Sequence, residues 1–479
     1  MPLENKKNEN FSDWYTEVIL KSEMADYSPV QGCIVYREWS YAIWEKIQDF
    51  FNRLIKSSGH RNVYFPMFIP KSLLTKEAEH FQGFTPEVAW VTKGGDSELA
   101  EPLAIRPTSE AIMYDSYAKW VRSHRDLPIL LNQWCSVVRW ETKATKPFLR
   151  GREFLWQEGH TVHSSKAEAD EEVMRILAYY KQLCEELLAI PVFIGKKSDK
   201  EKFAGALYTT TLEALMPDGK ALQAGTSHNL GQHFAKAFGI KFLDKNEKEE
   251  LAWQTSWGVS TRLIGALVMV HGDDKGLVMP PAIAPVQVVI VPIPANDSVE
   301  NAEISSKATK YKRDLEAAGL SVVFDDSPEK TPGWKYAEWE LKGVPLRLEI
   351  GRRDLEKGGV MMVRRDSGAK QFVNEKDVVK IASEFLDDIQ KSLLDRAKAF
   401  RDSHVSQAKD LDEFKQVLEE KKGFVKASWC GSAECEEKIS QETTATIRFL
   451  PFEAEELFSD KCVSCGQPAK EIAYFAKSY

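Results

Sequence analysis

Arginines and carboxylates that could handle a phosphate recur in three segments of this chain. In Arg106-Pro107-Thr108-Ser109-Glu110, a turn leads into the helical run Ala111 to Tyr114; taken alone, Thr108-Ser109-Glu110 reads as an ordinary helix N-terminus. Val138-Arg139-Trp140-Glu141 is followed by the loop Thr142 to Leu149 and then by Arg150-Gly151-Arg152-Glu153-Phe154. A strand pair with such a Lys/Arg-containing loop can close over a phosphate, although a charged hairpin has the same pattern. Trp257-Gly258-Val259-Ser260-Thr261-Arg262 precedes the apolar run Leu263 to Val270. An arginine at the start of a buried helix is costly unless its charge is paired. Neither G-x-x-x-x-G-K-[ST] nor G-x-G-x-x-G occurs, so a nucleotide site here must be built from arginines and carboxylates on a sheet.

The cysteines carry a second chemistry. Seven in 479 residues do not make a disulfide scaffold, and Cys33, Cys135 and Cys184 are scattered as buried thiols usually are. The other four form two pairs, Cys430-x4-Cys435 and Cys462-x2-Cys465, with 26 residues between them. Two knuckle-like pairs in a reducing compartment predict a four-thiolate tetrahedral zinc site.

Elements of two periodicities must position these groups. Tyr41, Trp44, Ile47, Phe51 and Leu54 predict one helix over residues 37–56, stopped by Ser57-Ser58-Gly59 and followed by a strand at Asn62 to Phe65. A second helix is predicted to open at Ser165, with Glu168 completing a capping box, and to bury Val173, Ile176, Leu177, Tyr180 and Leu187. Between them, Val137 to Glu141 and Phe154 to Glu158 read as strands whose polar side repeats Arg, Glu, Gln and His, as the floor of a site on an antiparallel sheet would. A boundary falls near Ile283-Ala284-Pro285. Beyond it, the strand VQVVIVPI, a helix around Ile304 to Ala318, Gly319 and the strand SVVFDD predict a small α/β domain with a partly parallel sheet. A lysine-rich helical region follows from Ser383. Three domains are therefore expected, at residues 1–284, 285–386 and 387–479.

Composition bounds the rest. Hydrophobic residues at 43% and charged residues at 28% are ordinary globular values, which excludes disorder and collagen-like repetition. No apolar run approaches the roughly 20 residues of a membrane span, and no signal-peptide pattern opens the chain. A soluble, cytoplasmic, multidomain protein is expected. The net charge of −8 excludes a globally basic nucleic-acid coat but not a local basic face. Arg347 to Lys370 holds seven Lys/Arg against four Asp/Glu, a local balance of +3 that would suit a phosphate-facing patch.

The three charged segments together resemble the signature motifs of class II aminoacyl-tRNA synthetases. The helix-strand-proline ending at Pro66 resembles motif 1, Arg139 to Glu158 motif 2, and Arg262 with its helix motif 3; the class I signatures are absent. Within that class the strings RPTSE, GREFLWQEGHT, QAGTSHNLGQ and WGVSTR resemble prolyl-tRNA synthetases, in the same order and across essentially the whole chain. The resemblance implies a multidomain α/β and α+β protein. Its parts would be an antiparallel-sheet catalytic domain, an α/β anticodon-binding domain and a C-terminal α/β zinc domain like that of the archaeal/eukaryotic-like subgroup. It implies a homodimer, and L-proline, ATP with Mg²⁺, and tRNA(Pro) as partners. Arg139 and Arg262 match catalytic, ATP-contacting arginines, with Glu141, Gln223 and Thr226 near the nucleotide and Glu213 as a helper for Mg²⁺. Thr108 and Glu110 match residues that hold the proline amine. Trp156, Phe203 and Trp257 would wall the ring, Glu158, His160 and His228 would frame it, and Gly258 and Ser260 complete the proline site. Glu340 and Arg347 match positions that approach anticodon bases, and Cys430, Cys435, Cys462 and Cys465 match a structural Zn²⁺ site.

Two other readings compete. A threonyl synthetase would carry Cys/His metal ligands in its active site, where this sequence offers Trp156 and Phe203. A non-catalytic paralogue would be expected to lose active-site residues, whereas Arg139, Glu141 and Arg262 are present. The bacterial-type relatives carry a large editing insertion between motifs 2 and 3. Only about a hundred residues separate Glu158 from Trp257 here, too few for one.

Overall fold

The first of the two expected helices runs Glu38–Ser57 and buries Ile43, Trp44, Ile47, Phe51 and Ile55. Its apolar stripe is rotated slightly from the expected one, since Ile43 and Ile55 lie inward while Tyr41 is exposed. The chain leaves the helix through Gly59, whose φ of +91° a side chain would resist. A computed structural model describes residues 2–78, 87–140 and 144–479; Glu141 lies outside them. The second helix starts as its capping residue requires. The Ser165 hydroxyl accepts the Glu168 amide, and the helix Lys166–Gln182 buries Val173, Ile176, Leu177 and Tyr180 before a single π-turn over Leu183–Leu187. The Glu168 carboxylate returns to the Ser164 amide at 3.0 Å, so the capping box is shifted by one residue.

These helices cover one face of a seven-stranded sheet. In spatial order its strands are Arg61–Asn62, Ile129–Val138, Glu153–His163, Trp253–Ser260, Ala221–Gly231, Tyr208–Leu215 and Val192–Lys196. All neighbours are antiparallel except the first pair. The strand expected at Asn62 to Phe65 is thus only Arg61–Asn62, and the one expected through Glu141 ends at Val138. Strand parity divides the side chains between the faces. Leu212, Ala214, Leu222, Ala224, Trp257 and Val259 enter the core beneath the helices. Glu158, facing Gly258, and His160, facing Ser256, belong to the opposite face.

Residues 288–374 form a second sheet. Three parallel strands, Val322–Phe324, Val288–Pro292 and Leu346–Ile350, continue into the antiparallel Gly359–Arg364 and Lys370–Asn374. The helix Ser298–Ala317 buries Ile304, Ala308, Tyr311 and Leu315 against it. One 26-residue helix, Val378–Ser403, runs through the expected boundary at residue 386. Its first turns close the second core through Val378, Ala382 and Leu386, and Ile389 and Leu393 then pack on Ala189 and Val278 of the first unit. A four-stranded sheet closes the chain, in the order Val405–Ala408, Phe424–Trp429, Glu471–Ala476, Thr446–Phe449. The architecture is the expected mixture of α/β and α+β units. Among the described residues, no helix is long and apolar enough to cross a membrane.

Candidate active site

The uncovered face of the large sheet floors a cavity of about 310 Å³. Thr108, Glu110, Arg139, Trp156, Glu158, His160, Phe203, Gln223, Thr226, His228, Gly258, Ser260 and Arg262 all border it, so the segments singled out in the sequence converge on one place.

Its floor is a buried polar network centred on Glu158. That carboxylate accepts from the Ser109 amide at 3.1 Å, the Ser109 hydroxyl, Gln133 Nε2 at 3.0 Å and His160 Nε2 at 3.0 Å. Tyr114 Oη meets the other His160 nitrogen, Nδ1, at 3.0 Å. Burial alone would raise the Glu158 carboxyl, yet the donors, led by His160, outweigh it and hold the group below its usual range. His160 is raised in turn: its bond to Glu158 and the nearby Glu110 charge overcome its own burial. Each partner thus favours the charged form of the other. Thr108 donates to Glu110 at the start of the helix Glu110–Trp120, fixing both at the rim.

Guanidinium groups gather elsewhere in the same cavity. Arg139 lies 5.3 Å over the Trp156 ring and donates from Nε to the Pro107 carbonyl at 3.2 Å. Arg262, the first residue of the helix Arg262–His271, donates from Nε to the Leu149 carbonyl at 3.3 Å. Burial first, and then repulsion by Arg139 and Arg150, press the Arg262 guanidinium down to about 10. Crowded cations of this kind suit a polyanionic ligand, whose charge would relieve the repulsion.

Two expectations are corrected. Trp257 belongs to a strand bordering the cavity, but its indole points to the other face, 6.1 Å from the Phe51 ring and 5.4 Å from that of His60. The opposing residue is glycine for that reason: a Cβ on Gly159 would stand 2.2 Å from the indole. Glu213 does not reach the cavity as a Mg²⁺ helper. It is fully buried, and Lys197 Nζ at 2.8 Å and the Arg448 guanidinium at 3.0 Å occupy its carboxylate.

Other residues were missed. Ser109 and Gln133 hold Glu158, and Lys197, Glu201 and Thr209 border the cavity. Ser109 stands inside RPTSE and could have been found there; Lys197 and Glu201 carry no local signal. Thr209 Oγ1 bonds His228 Nδ1 at 2.8 Å and accepts the Phe203 amide at 2.9 Å, setting the Phe203 ring 4.8 Å from the imidazole.

Glu340 and Arg347 border a small depression in the second unit. Glu340 accepts from Lys275 at 2.9 Å, while Arg347 pairs with Glu349 and lies 4.3 Å over the Tyr336 ring. The surrounding basic run is mostly engaged: Arg352, Arg364, Arg365 and Lys370 also meet carboxylates, Arg365 reaching Asp273 of the first unit. In the last unit, Cys430, Cys435, Cys462 and Cys465 bring their sulfurs within 4.8 Å of one another. Separations of 3.6 Å for Cys430–Cys435 and 3.9 Å for Cys430–Cys465 suit a tetrahedral thiolate ion, for which Zn–S bonds of about 2.3 Å imply sulfurs about 3.8 Å apart.

Comparison with known proteins agrees with the geometry. Residues 90–271 match the tRNA synthetase class II core domain (G, H, P, S and T), 287–385 the anticodon binding domain, and 411–479 the prolyl-tRNA synthetase C-terminal domain. The Proline--tRNA ligase of Natranaerobius thermophilus is 54% identical over 476 residues, covering 99% of this chain and 97% of that protein. The Proline--tRNA ligase of Acetoanaerobium sticklandii is 53% identical over 472 residues, covering 98% and 97%. The chain belongs to the prolyl-tRNA synthetase family. The cavity lies within the part matched to that family's class II core, and Glu340 and Arg347 lie within the part matched to the anticodon-binding domain. All four cysteines fall in the part matched to the prolyl-tRNA synthetase C-terminal domain.

The histidines of this synthetase core give it a defined acid sensitivity. Burial lowers His163 and His271 to about 4 and His228 to about 3, so each is neutral in the folded state. In the unfolded chain they titrate near 6.5. Below that pH the unfolded state binds more protons, and each histidine removes about 1.4 kcal/mol per pH unit until its folded value is reached. Glu436, which burial raises to about 7, opposes only one of these three losses, and His160 does not offset them. Its raised value contributes stability that is complete below 6.5 and is lost only as pH rises through the folded value. Glu158, Glu172 and Glu213, all held low, add their own loss only below about 4.5. The urea midpoint is therefore expected to fall progressively from pH 6.5 to 4, and a flat midpoint across that window would contradict the assignment.

Proposed function

We propose that this cavity activates L-proline with ATP and passes the prolyl group to tRNA(Pro). The carrying observation is the convergence, in one cavity, of the Arg139–Arg262 cation cluster and a carboxylate-lined pocket walled by Trp156 and Phe203. The proline carboxylate attacks the α-phosphorus of ATP; an oxygen–phosphorus bond forms as the bond to pyrophosphate breaks. Arg139 and Arg262 stabilise the charge that builds there. Thr108 and Glu110 hold the secondary ammonium, and the Glu158–His160 pair fixes the floor beneath the ring. A ribose hydroxyl at the tRNA 3′ end then attacks the prolyl carbonyl and releases AMP. Placement and electrostatics are sufficient, with no covalent protein nucleophile. Gln223 and Thr226 are assigned to the nucleotide side, as is Glu141. Mg²⁺, when it accompanies ATP, neutralises triphosphate charge, and Glu213 is not available to hold it.

ATP–pyrophosphate exchange across a panel of amino acids tests the reading. Proline-dependent exchange is expected; exchange driven by threonine, or by no amino acid, would overturn it. Glu340 and Arg347 are proposed to face the anticodon, and the four cysteines to hold one Zn²⁺. A cytoplasmic homodimer is the proposed working form. Exposed Phe68 and Trp90, on the small sheet formed by Phe68–Pro70, Trp90–Gly94 and Ser97–Ile105, support a buried subunit contact there.

Fidelity follows from the same cavity. Residues 164–252 are used by the Lys166 helix, three sheet strands, the short helix His233–Phe238 and a small hairpin. They contain no separate hydrolytic unit. A pocket sized for a proline ring rejects a smaller amino acid only through lost contacts, about 1–3 kcal/mol per methylene. Measurable activation of alanine is therefore expected, without hydrolysis of alanyl-tRNA(Pro) by this chain. Rapid enzyme-dependent deacylation of that substrate would reveal an editing site.

A further inference from the structure

The edge strand of the catalytic sheet, Val192–Lys196, is covered by the C-terminal unit. Lys196 and Leu450 exchange backbone hydrogen bonds of 2.9 and 2.7 Å, and the Phe193 ring stacks on Phe449 at 5.5 Å. From that edge the chain runs directly into residues 197–203, which bring Lys197, Glu201 and Phe203 to the cavity.

The start of this segment is held from outside the catalytic domain. Lys197 Nζ donates to the Arg448 carbonyl at 2.9 Å and to Glu213 at 2.8 Å. The Arg448 guanidinium closes the cluster through Nε at 3.1 Å and Nη2 at 3.0 Å to the Glu213 carboxylate. At the next residue, the buried Ser198 hydroxyl donates to Glu436 at 2.9 Å, and two residues further on Lys200 pairs with Glu437; both acids lie on the helix Ala433–Thr443. A carboxylate as buried as Glu213 requires its cations in place. With Arg448 removed, Lys197 alone must neutralise it, and its ammonium also borders the substrate cavity.

We propose that Arg448 of the C-terminal unit is a positioning residue for the amino-acid pocket: by sharing Glu213 with Lys197, it fixes the segment that presents Lys197, Glu201 and Phe203 to the substrate. Its kinetic consequence rests on the proline reading given above; its structural consequence does not.

The test uses the full-length protein carrying Arg448→Met. The KM for proline in pyrophosphate exchange should rise about tenfold, as for a positioned wall that has loosened, while kcat stays within about twofold. Amide hydrogen exchange at residues 197–205 should accelerate while the central strands keep their protection. Arg448→Lys, which keeps the charge, should recover most of both effects. Should the Met variant fail to fold, Ser198→Ala with Lys200→Ala removes two other tethers, and the same local acceleration is expected. A folded Arg448→Met protein with unchanged proline KM and unchanged exchange at 197–205 overturns the proposal, as does the absence of local acceleration in the Ser198/Lys200 variant. If the wild type shows no proline-dependent activity, the proline reading fails, and the hydrogen-exchange comparison still decides the role of Arg448.

Discussion

Arg262→Ala and Arg139→Ala are each expected to cut proline-dependent pyrophosphate exchange by about 10²–10³-fold, or about 2.7–4 kcal/mol of transition-state stabilisation, in protein that remains folded. Both conditions follow from the geometry. Arg262 starts a helix that is buried almost throughout, and its guanidinium is penalised by burial and by the neighbouring Arg139 and Arg150 charges. Removing it relieves that repulsion, so the thermal midpoint should hold or rise while catalysis collapses. Arg139 carries a second duty. Its bond to the Pro107 carbonyl and its place over Trp156 tie the RPTSE turn to the ring wall, so its loss should raise the KM for proline as well as lower kcat. Arg262→Ala should act mainly on kcat and on ATP. Exchange near the wild-type rate in either folded variant removes that arginine from the mechanism.

The site was legible wherever its residues sit in short strings on adjacent strands. Trp156, Glu158 and His160 alternate along one strand and meet Ser256, Gly258 and Ser260 across the sheet, so a period of two places them together. The same parity turns the Trp257 indole into the core, and Gly159 opposite it is the mark of this in the sequence. Glu213 shows another limit. A carboxylate on a site-facing strand looks free to bind a cation until a distant segment supplies one, and Arg448 lies 235 positions away in sequence. Helix starts and stops were read more easily, since Ser165 and Gly59 act through their own backbone geometry. The boundary expected at residue 386 falls inside one amphipathic helix that serves two cores in succession, so no break in the chain marks it.

Metal analysis of the purified protein is expected to find one zinc per chain, and Cys462→Ser should lose it and destabilise the C-terminal sheet. The sulfur spacing already suits a tetrahedral ion. Apparent binding energies at structural zinc sites of small domains reach about 10–16 kcal/mol at pH 7, as much as the whole stability of a typical domain. The consequences should not stop at the knuckles. Cys435 lies on the helix Ala433–Thr443, and the next two residues, Glu436 and Glu437, hold Ser198 and Lys200 beside the substrate cavity. Chelation of the wild type should therefore first release the C-terminal sheet, seen as faster hydrogen exchange at residues 424–429 and 471–476. It should then raise the KM for proline, with kcat less affected. Protein prepared so as to preserve loading, yet free of zinc and unmoved by chelator, would show that the four cysteines hold no metal and that the sheet is stabilised by its apolar core alone.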